Sequence, residues 1–189
     1  MEYENLFSKS LPRPVAMPEG LQEDTKYIFS VTYTDPDSTD YETLGKRLQV
    51  ALAREGRNMA EYPPPQGHLG MRELIADSLR QNRGAEIKVE SIFLSSGAGG
   101  AIQSILDAFI DPGDIVLVEE YSYLGTMRML LSRGAEVIHI PTDESGMDTD
   151  ILEKTISSFT KAGRHPKMIY TISVYQNPMG VTLSLDRRK

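Results

Sequence analysis

The residues best suited to chemistry lie in a glycine-rich stretch at positions 94–103, which reads Leu-Ser-Ser-Gly-Ala-Gly-Gly-Ala-Ile-Gln. An apolar run at 92–94 precedes the glycines, and apolar residues at helical spacing follow from Ala101, which predicts a strand, a tight turn and a helix. The free N–H groups and aligned peptide dipoles of a first helical turn favour an anion. The stretch is therefore a candidate phosphate-binding turn, although a tight connection with nothing bound fits the local pattern equally well.

Two further segments place aromatic or polar residues directly after a predicted strand. Tyr123 follows the apolar run 115–118, and Asn177 follows the run 168–172. Ligands of open α/β sheets bind beyond the carboxyl ends of the strands, so these residues and the glycine turn are expected at one edge. Together they would suit a flat, phosphorylated heteroaromatic ligand. Singly, Tyr123 is also explained as an aromatic residue at the edge of the core and Asn177 as part of an ordinary turn.

The elements that must position these residues alternate between helix and strand. Helical spacing of apolar residues begins at Tyr41 and at Met71, and Gly56 and Gly84 are the expected stops. Such alternation predicts an α/β fold with a mostly parallel sheet. The further predicted elements are strands at 115–118, 137–140 and 168–172, helices through 124–131 and 152–159, and a turn at 143–146.

The predicted organisation is an N-terminal arm, residues 1–40, followed by the α/β part, residues 41–189. The arm is rich in Pro, Asp, Ser and Thr and holds one β-prone run at 27–31. Ser184 is a suitable N-cap for a helix that would complete barely one turn, so we expect a truncated chain. At the carboxyl end of the 115–118 run, the Glu119-Glu120 pair is expected to be solvated.

Composition excludes several classes of function. A net charge of −7 argues against nucleic acid and anionic membrane surfaces as partners. The absence of cysteine excludes disulfides and thiolate chemistry, and the three histidines are too scattered for a metal motif. The N-terminus lacks a secretion-signal pattern and no apolar run approaches the ~20 residues of a membrane span, which together predict a cytoplasmic protein. The glycines match neither of two common nucleotide-binding motifs. The dinucleotide fingerprint needs a third glycine where Ile102 stands, and a Walker loop needs lysine and then Ser or Thr after Gly100, where Ala101 and Ile102 stand.

Four motifs follow one another along positions from about 41 to 189. They are Tyr62-x-Pro64-Pro65-Gln66-Gly67 with residues 71–76, Ser96-Gly97-Ala98-Gly99-Gly100, Asp111-Pro112-Gly113-Asp114 with residues 116–119 and Tyr123, and Tyr170 with Gln176-Asn177-Pro178-x-Gly180. In this order they resemble the class I/II aminotransferases, the fold type I pyridoxal-phosphate enzymes. The resemblance implies the large domain of that fold, a three-layer sandwich that is incomplete at the C-terminus.

The resemblance implies pyridoxal 5'-phosphate as cofactor and assigns a role to each candidate residue. Backbone groups of Gly97, Ala98 and Gly99 would hold the phosphate, with help from Ser96. Tyr123 would stack on the pyridine ring, Asn177 would donate to its phenolic oxygen, and Tyr62 would reach the phosphate in the neighbouring subunit of a homodimer.

The implied reaction is transfer of an amino group from an amino acid to a 2-oxo acid, and the proline-rich loop is most similar to the branch that acts on aromatic and 2-aminoadipate-like substrates. The family's Schiff-base lysine, its aspartate facing the pyridine nitrogen and its carboxylate-binding arginine are expected beyond Lys189. No catalytic residue is therefore assigned within these 189 positions, and we expect weak cofactor binding and no turnover from them alone. A noncatalytic or regulatory version of the fold, and a lyase on the same fold, are the alternatives.

Overall fold

The computed structural model describes residues 35–189. Within this part the chain forms two compact units, residues 35–94 and Ser95–Lys189. The predicted arm and its β-prone run lie outside the described residues, except for positions 35–40, where a 3₁₀ turn spans Pro36–Ser38.

The unit at 35–94 is built on two helices, α1 at Tyr41–Glu55 and α2 at Leu69–Arg83. The Asp40 carboxylate caps α1 by accepting the N–H of the third helical residue at 2.9 Å, and Gly56 ends the helix with a φ of 49°. Gly84 ends α2 in the left-handed conformation, which glycine adopts without steric cost. Both predicted helices and both predicted stops are confirmed.

Residues 92–94 do not form the predicted strand. The Leu94 N–H donates to the Gln66 carbonyl at 2.9 Å, so the backbone pairs with the proline-rich loop rather than with a sheet. A Cβ on Gly67, whose φ is 92°, would lie 2.7 Å from the Leu94 Cβ, which shows how closely loop and segment approach. The prediction was wrong because an apolar run of three residues also fits an extended segment whose hydrogen bonds lie elsewhere.

The unit Ser95–Lys189 contains five strands. They are β1 at Ile115–Glu119, β2 at Glu136–Ile140, β3 at Thr142–Asp143, β4 at Gly146–Met147 and β5 at Met168–Tyr170. Three of them form a parallel sheet in the order β2-β1-β5. The two-residue strands β3 and β4 form an antiparallel hairpin around the predicted 143–146 turn. The helices are α3 at Gly97–Phe109, α4 at Leu124–Ser132 and α5 at Thr149–Lys161.

The core lies on both faces of β1, in which all five residues are buried. Val116 and Val118 pack against buried residues of α3 and α4. Ile115 and Leu117 point the other way, because successive side chains of a strand alternate, and join the cluster beneath α5. The result is a helix layer, a parallel sheet and a second helix layer, which confirms the predicted three-layer α/β fold.

The last residues pack against the β3–β4 hairpin instead of starting the predicted helix. Ser184 donates its N–H to the Ser145 carbonyl at 3.0 Å, and only a 3₁₀ turn follows, at Asp186–Arg188. Arg187 reaches both carboxylate oxygens of Asp143 at 2.6 and 2.7 Å. The prediction of Ser184 as an N-cap was wrong because these tertiary bonds fix the backbone. Across residues 35–189, every helix is too short or too polar to cross a bilayer.

Candidate functional site

The candidate phosphate-binding turn is the first turn of α3, which begins at Gly97, four residues earlier than predicted. Gly97 has a φ of 72°, and its N–H donates to the Ser95 carbonyl at 2.9 Å. Ser96 occupies the N-cap position but its hydroxyl makes no capping bond. The N–H groups of Ala98 and Gly99 follow in the first turn, where helical geometry supplies no acceptor.

Side chains of the described residues leave the backbone of this turn uncovered. Among residues 35–189, a Cβ added to Gly97 would meet nothing within 4 Å, and one added to Gly99 would meet only the Met129 Cε, at 3.9 Å. The turn is also the positive end of a 13-residue helix. Free amides, open space and the helix dipole all suit a phosphate group, so this part of the chain fits the cofactor that the resemblance implies.

Tyr123 lies at the N-cap of α4, four residues beyond the end of β1. Its carbonyl accepts the N–H of Thr126 at 3.0 Å, and its side chain is 46% exposed. Thr126 is buried and donates its hydroxyl to the Tyr170 hydroxyl at 3.0 Å. The start of α4 is thereby joined to the last residue of β5.

The loop that carries Asn177 is fixed by its neighbour Gln176, which is 2% exposed. The Gln176 side-chain amide donates to the Glu119 carboxylate at 2.9 Å and to the Tyr121 carbonyl at 2.5 Å. Its side-chain oxygen accepts the N–H of Met179 at 2.9 Å. Asn177 therefore follows a residue that is anchored at the carboxyl end of β1.

Glu119 is the centre of this hydrogen-bond network. It is 1% exposed, contrary to the expectation that the Glu119-Glu120 pair is solvated, whereas Glu120 is exposed. Besides the amide of Gln176, its carboxylate accepts the Thr171 hydroxyl at 2.7 Å and the Ile172 N–H at 3.2 Å. These donors replace the water that a buried carboxylate loses. Alternation along β1 could not have signalled this burial, because both faces of the strand are buried and the donors to Glu119 lie more than 50 positions away.

The elements that carry these candidate residues begin or end at one edge of the unit Ser95–Lys189. Helices α3 and α4 lie side by side in the same direction, because Gly99 lies near Met129 and Arg133 bonds Asp107 at 2.9 Å. The first turns of α3 and α4 therefore lie at the same edge of the unit. This is the edge at the carboxyl end of β1, because α4 follows β1 in the chain. The network of Glu119 adds the loop of Asn177 to that edge.

Tyr62 belongs to the other unit, at residues 35–94, where it follows the 3₁₀ turn Gly56–Ala60 and is fully exposed. Its assignment to a neighbouring subunit's cofactor stays a prediction. The same holds for the roles assigned to six residues of the unit Ser95–Lys189, which stay predictions: Ser96, Gly97, Ala98, Gly99, Tyr123 and Asn177.

A parallel sheet covered by helices on both faces, with an open glycine-rich helix start and anchored polar loops at one edge, defines a three-layer α/β protein suited to a phosphorylated ligand. Comparison with known proteins makes the class specific. Residues 32–188 match the family described as "Aminotransferase class I and II", and the chain belongs to that family.

Three similar proteins illustrate the range of this family. "Aromatic-amino-acid aminotransferase 1" of Thermococcus litoralis is 32% identical over 154 residues, which cover 82% of this chain and 37% of that protein. The "Uncharacterized HTH-type transcriptional regulator YjiR" of Escherichia coli is 30% identical over 156 residues, covering 82% of this chain and 32% of the regulator. The crystal structure of a Pyrococcus horikoshii kynurenine aminotransferase, solved with PMP, matches with a TM-score of 0.74 and 30% identity, covering 82% of this chain and 38% of that one.

The matched region is much shorter than these relatives. It spans between 33% and 39% of the first four curated relatives.

Proposed function

We propose that this chain supplies the phosphate-binding turn, the stacking ring and the orienting amide of a pyridoxal-phosphate-dependent aminotransferase, which transfers an amino group from an amino acid to a 2-oxo acid. The observation that carries the proposal is the open first turn of α3 at the same edge as Tyr123 and the anchored Asn177 loop, in a chain of the aminotransferase family. The bound cofactor would act as the electron sink of the reaction, while the protein binds and orients it.

The first turn of α3 would bind the phosphate. Ala98 and Gly99 would donate their N–H groups, and the uncapped hydroxyl of Ser96 would add a side-chain donor. Because an added Cβ at Gly97 meets open space, the role of this glycine is its φ of 72°, which L side chains rarely adopt.

The pyridine ring would be oriented by Tyr123 and Asn177. The half-exposed ring of Tyr123 would cover one face of the heterocycle, and the Asn177 amide would donate to its phenolic oxygen. Because the buried Gln176 anchors this loop to β1, the amide would bind without first ordering a mobile segment.

The remaining assignments complete the proposed enzyme. Tyr62, which is fully exposed in the described chain, would contact the cofactor phosphate of a neighbouring subunit in a homodimer. The covalent lysine, the aspartate facing the ring nitrogen and the substrate-binding arginine would come from residues outside these 189 positions.

An aromatic amino acid is the first amino-group donor to test, because the Thermococcus litoralis relative is named for that class. We also infer a cytoplasmic location.

A regulatory protein that binds the cofactor without transamination is the second candidate. The similarity to the Escherichia coli transcriptional regulator favours it, because that protein matches the same share of this chain as the aromatic aminotransferase does. The two candidates share the cofactor site and differ in turnover.

The test is a titration of the chain with pyridoxamine 5'-phosphate, which is fluorescent and cannot react with surface lysines. We expect weak saturable binding, further weakened by Tyr123→Ala and by Asn177→Ala. Unchanged affinity in both variants would refute the site. An aminotransferase assay with an aromatic donor and a 2-oxo acid should give no turnover with the 189-residue chain, so turnover would refute the assignment of the lysine to residues outside it.

A further inference from the structure

The ring of Tyr123 lies directly over Gly125, in the first turn of α4. A Cβ built on Gly125 would be 2.4 Å from the Tyr123 Cε1, 2.8 Å from its Cζ and 2.9 Å from its hydroxyl oxygen. Real Cβ atoms do not approach other atoms this closely, so the ring occupies the space that any side chain at position 125 would need.

The backbone itself does not require glycine at this position. Gly125 lies inside α4 and is not among the glycines with positive φ. Glycine within a helix is less favourable than alanine because the unfolded chain has more freedom to lose. A glycine that lowers helix stability without serving a turn is explained here by the ring beside it.

The helix under the ring is held by a buried hydrogen bond, whereas the ring is half-exposed and has solvent on one side into which it could be displaced. Thr126, the next residue, is 1% exposed and bonds the Tyr170 hydroxyl at 3.0 Å, so the start of α4 cannot easily shift. Tyr123 is 46% exposed and can rotate outward. An added Cβ at position 125 would therefore displace the ring and leave the helix in place.

We propose that Gly125 is a positioning residue, which sets the place and tilt of the Tyr123 ring against which the pyridine ring of the cofactor would stack. This inference rests on the proposed function. It adds a residue that touches no ligand itself and acts only through Tyr123.

The experiment is a double-mutant cycle on the chain, using pyridoxamine 5'-phosphate as the fluorescent probe. Tyr123→Ala should weaken affinity about three- to tenfold, the range expected for one aromatic contact. Gly125→Ala should weaken affinity by most of that factor. Adding Gly125→Ala to Tyr123→Ala should change affinity no further, because no ring remains to be displaced.

Two controls separate positioning from a general effect on the fold. Gly45→Ala places a Cβ in α1 where no atom of residues 35–189 lies within 4 Å, so it should leave affinity unchanged. The melting temperature of Gly125→Ala should equal or exceed that of the parent chain, because alanine favours the helix and the ring can move away. Tetranitromethane should nitrate Tyr123 faster in Gly125→Ala, which reports the displaced ring without any ligand.

The outcomes distinguish this inference from the proposed function. If the parent chain binds the probe and Tyr123→Ala weakens binding while Gly125→Ala does not, the positioning role is wrong and the cofactor site stands. A further loss when Gly125→Ala is added to Tyr123→Ala, or a lowered melting temperature for Gly125→Ala, would also refute it. If the parent chain shows no saturable binding, both proposals fail.

Discussion

Replacing Gln176 by leucine tests the anchor of the Asn177 loop. Leucine is close to glutamine in size but offers no hydrogen bond, so the change removes three contacts at a site that is 2% exposed. It takes one donor from the Glu119 carboxylate and one from the Tyr121 carbonyl, and it leaves the Met179 N–H without its acceptor.

The expected cost follows from these contacts. A hydrogen bond to a charged group contributes about 1.5–3 kcal/mol and a neutral one about 0.5–1.5 kcal/mol. Two neutral bonds and one charged bond give roughly 2.5–6 kcal/mol, and leucine recovers about 1 kcal/mol of this by burying apolar surface. This is a large share of the ~5–15 kcal/mol that keeps an ordinary domain folded.

Amide hydrogen exchange is the assay, because it resolves the loop from the rest of the unit. The N–H of Met179 bonds the Gln176 side chain, and the N–H of Gly180 bonds the Gln176 carbonyl at 2.5 Å. At 1.4 kcal/mol for each factor of ten, protection of these amides should fall about tenfold or more. Gln81→Leu, the same change at an exposed position of α2, should alter protection nowhere beyond its own helix. Unchanged protection in Gln176→Leu would show that the network does not hold the loop.

Two further variants test the core and the C-terminal segment. Leu117→Ala removes a side chain with no exposed surface from the central strand and should cost about 2–5 kcal/mol in urea unfolding, so a loss below ~1 kcal/mol would contradict the described core. The hydrogen bond from Arg187 holds the pKa of Asp143 below its ordinary value. Its stabilising contribution is therefore complete above the unfolded pKa of about 3.9 and is lost as the pH falls through the lower folded value. Asp143→Asn should destabilise the chain at pH 7 and much less in acid, and a deficit that persists unchanged in acid would refute the pair.

The sequence predicted the helices and the central sheet because their signals are local. Apolar spacing with the stops at Gly56 and Gly84 defined α1 and α2, and an uninterrupted apolar run defined β1. The parallel direction of the strands also followed from the alternation of helices and strands along the chain. These features depend on the chain's own periodicity, so no knowledge of distant neighbours was needed.

The errors lie where distant parts of the chain decide the structure. Leu94 pairs with the Gln66 carbonyl, and Ser184 pairs with the Ser145 carbonyl, which overrode a strand in one case and a helix cap in the other. Glu119 is buried because donors more than 50 positions away surround it. The spacing of residues therefore could not predict the hydrogen bonds around Glu119. It did predict that the candidate residues lie at the carboxyl ends of the strands.

The central position of β1 has a consequence for how the unit assembles. In register, Val116 pairs with Val137 on one side and with Met168 on the other. Closing the longer loop costs about 0.8 kcal/mol more chain entropy, so we expect the β1–β2 pair to form more often before the β1–β5 pair than after it. Wherever β5 is the later strand, the carboxylate of Glu119 exchanges its hydration shell for the donors of residues 171–176 only when that strand docks.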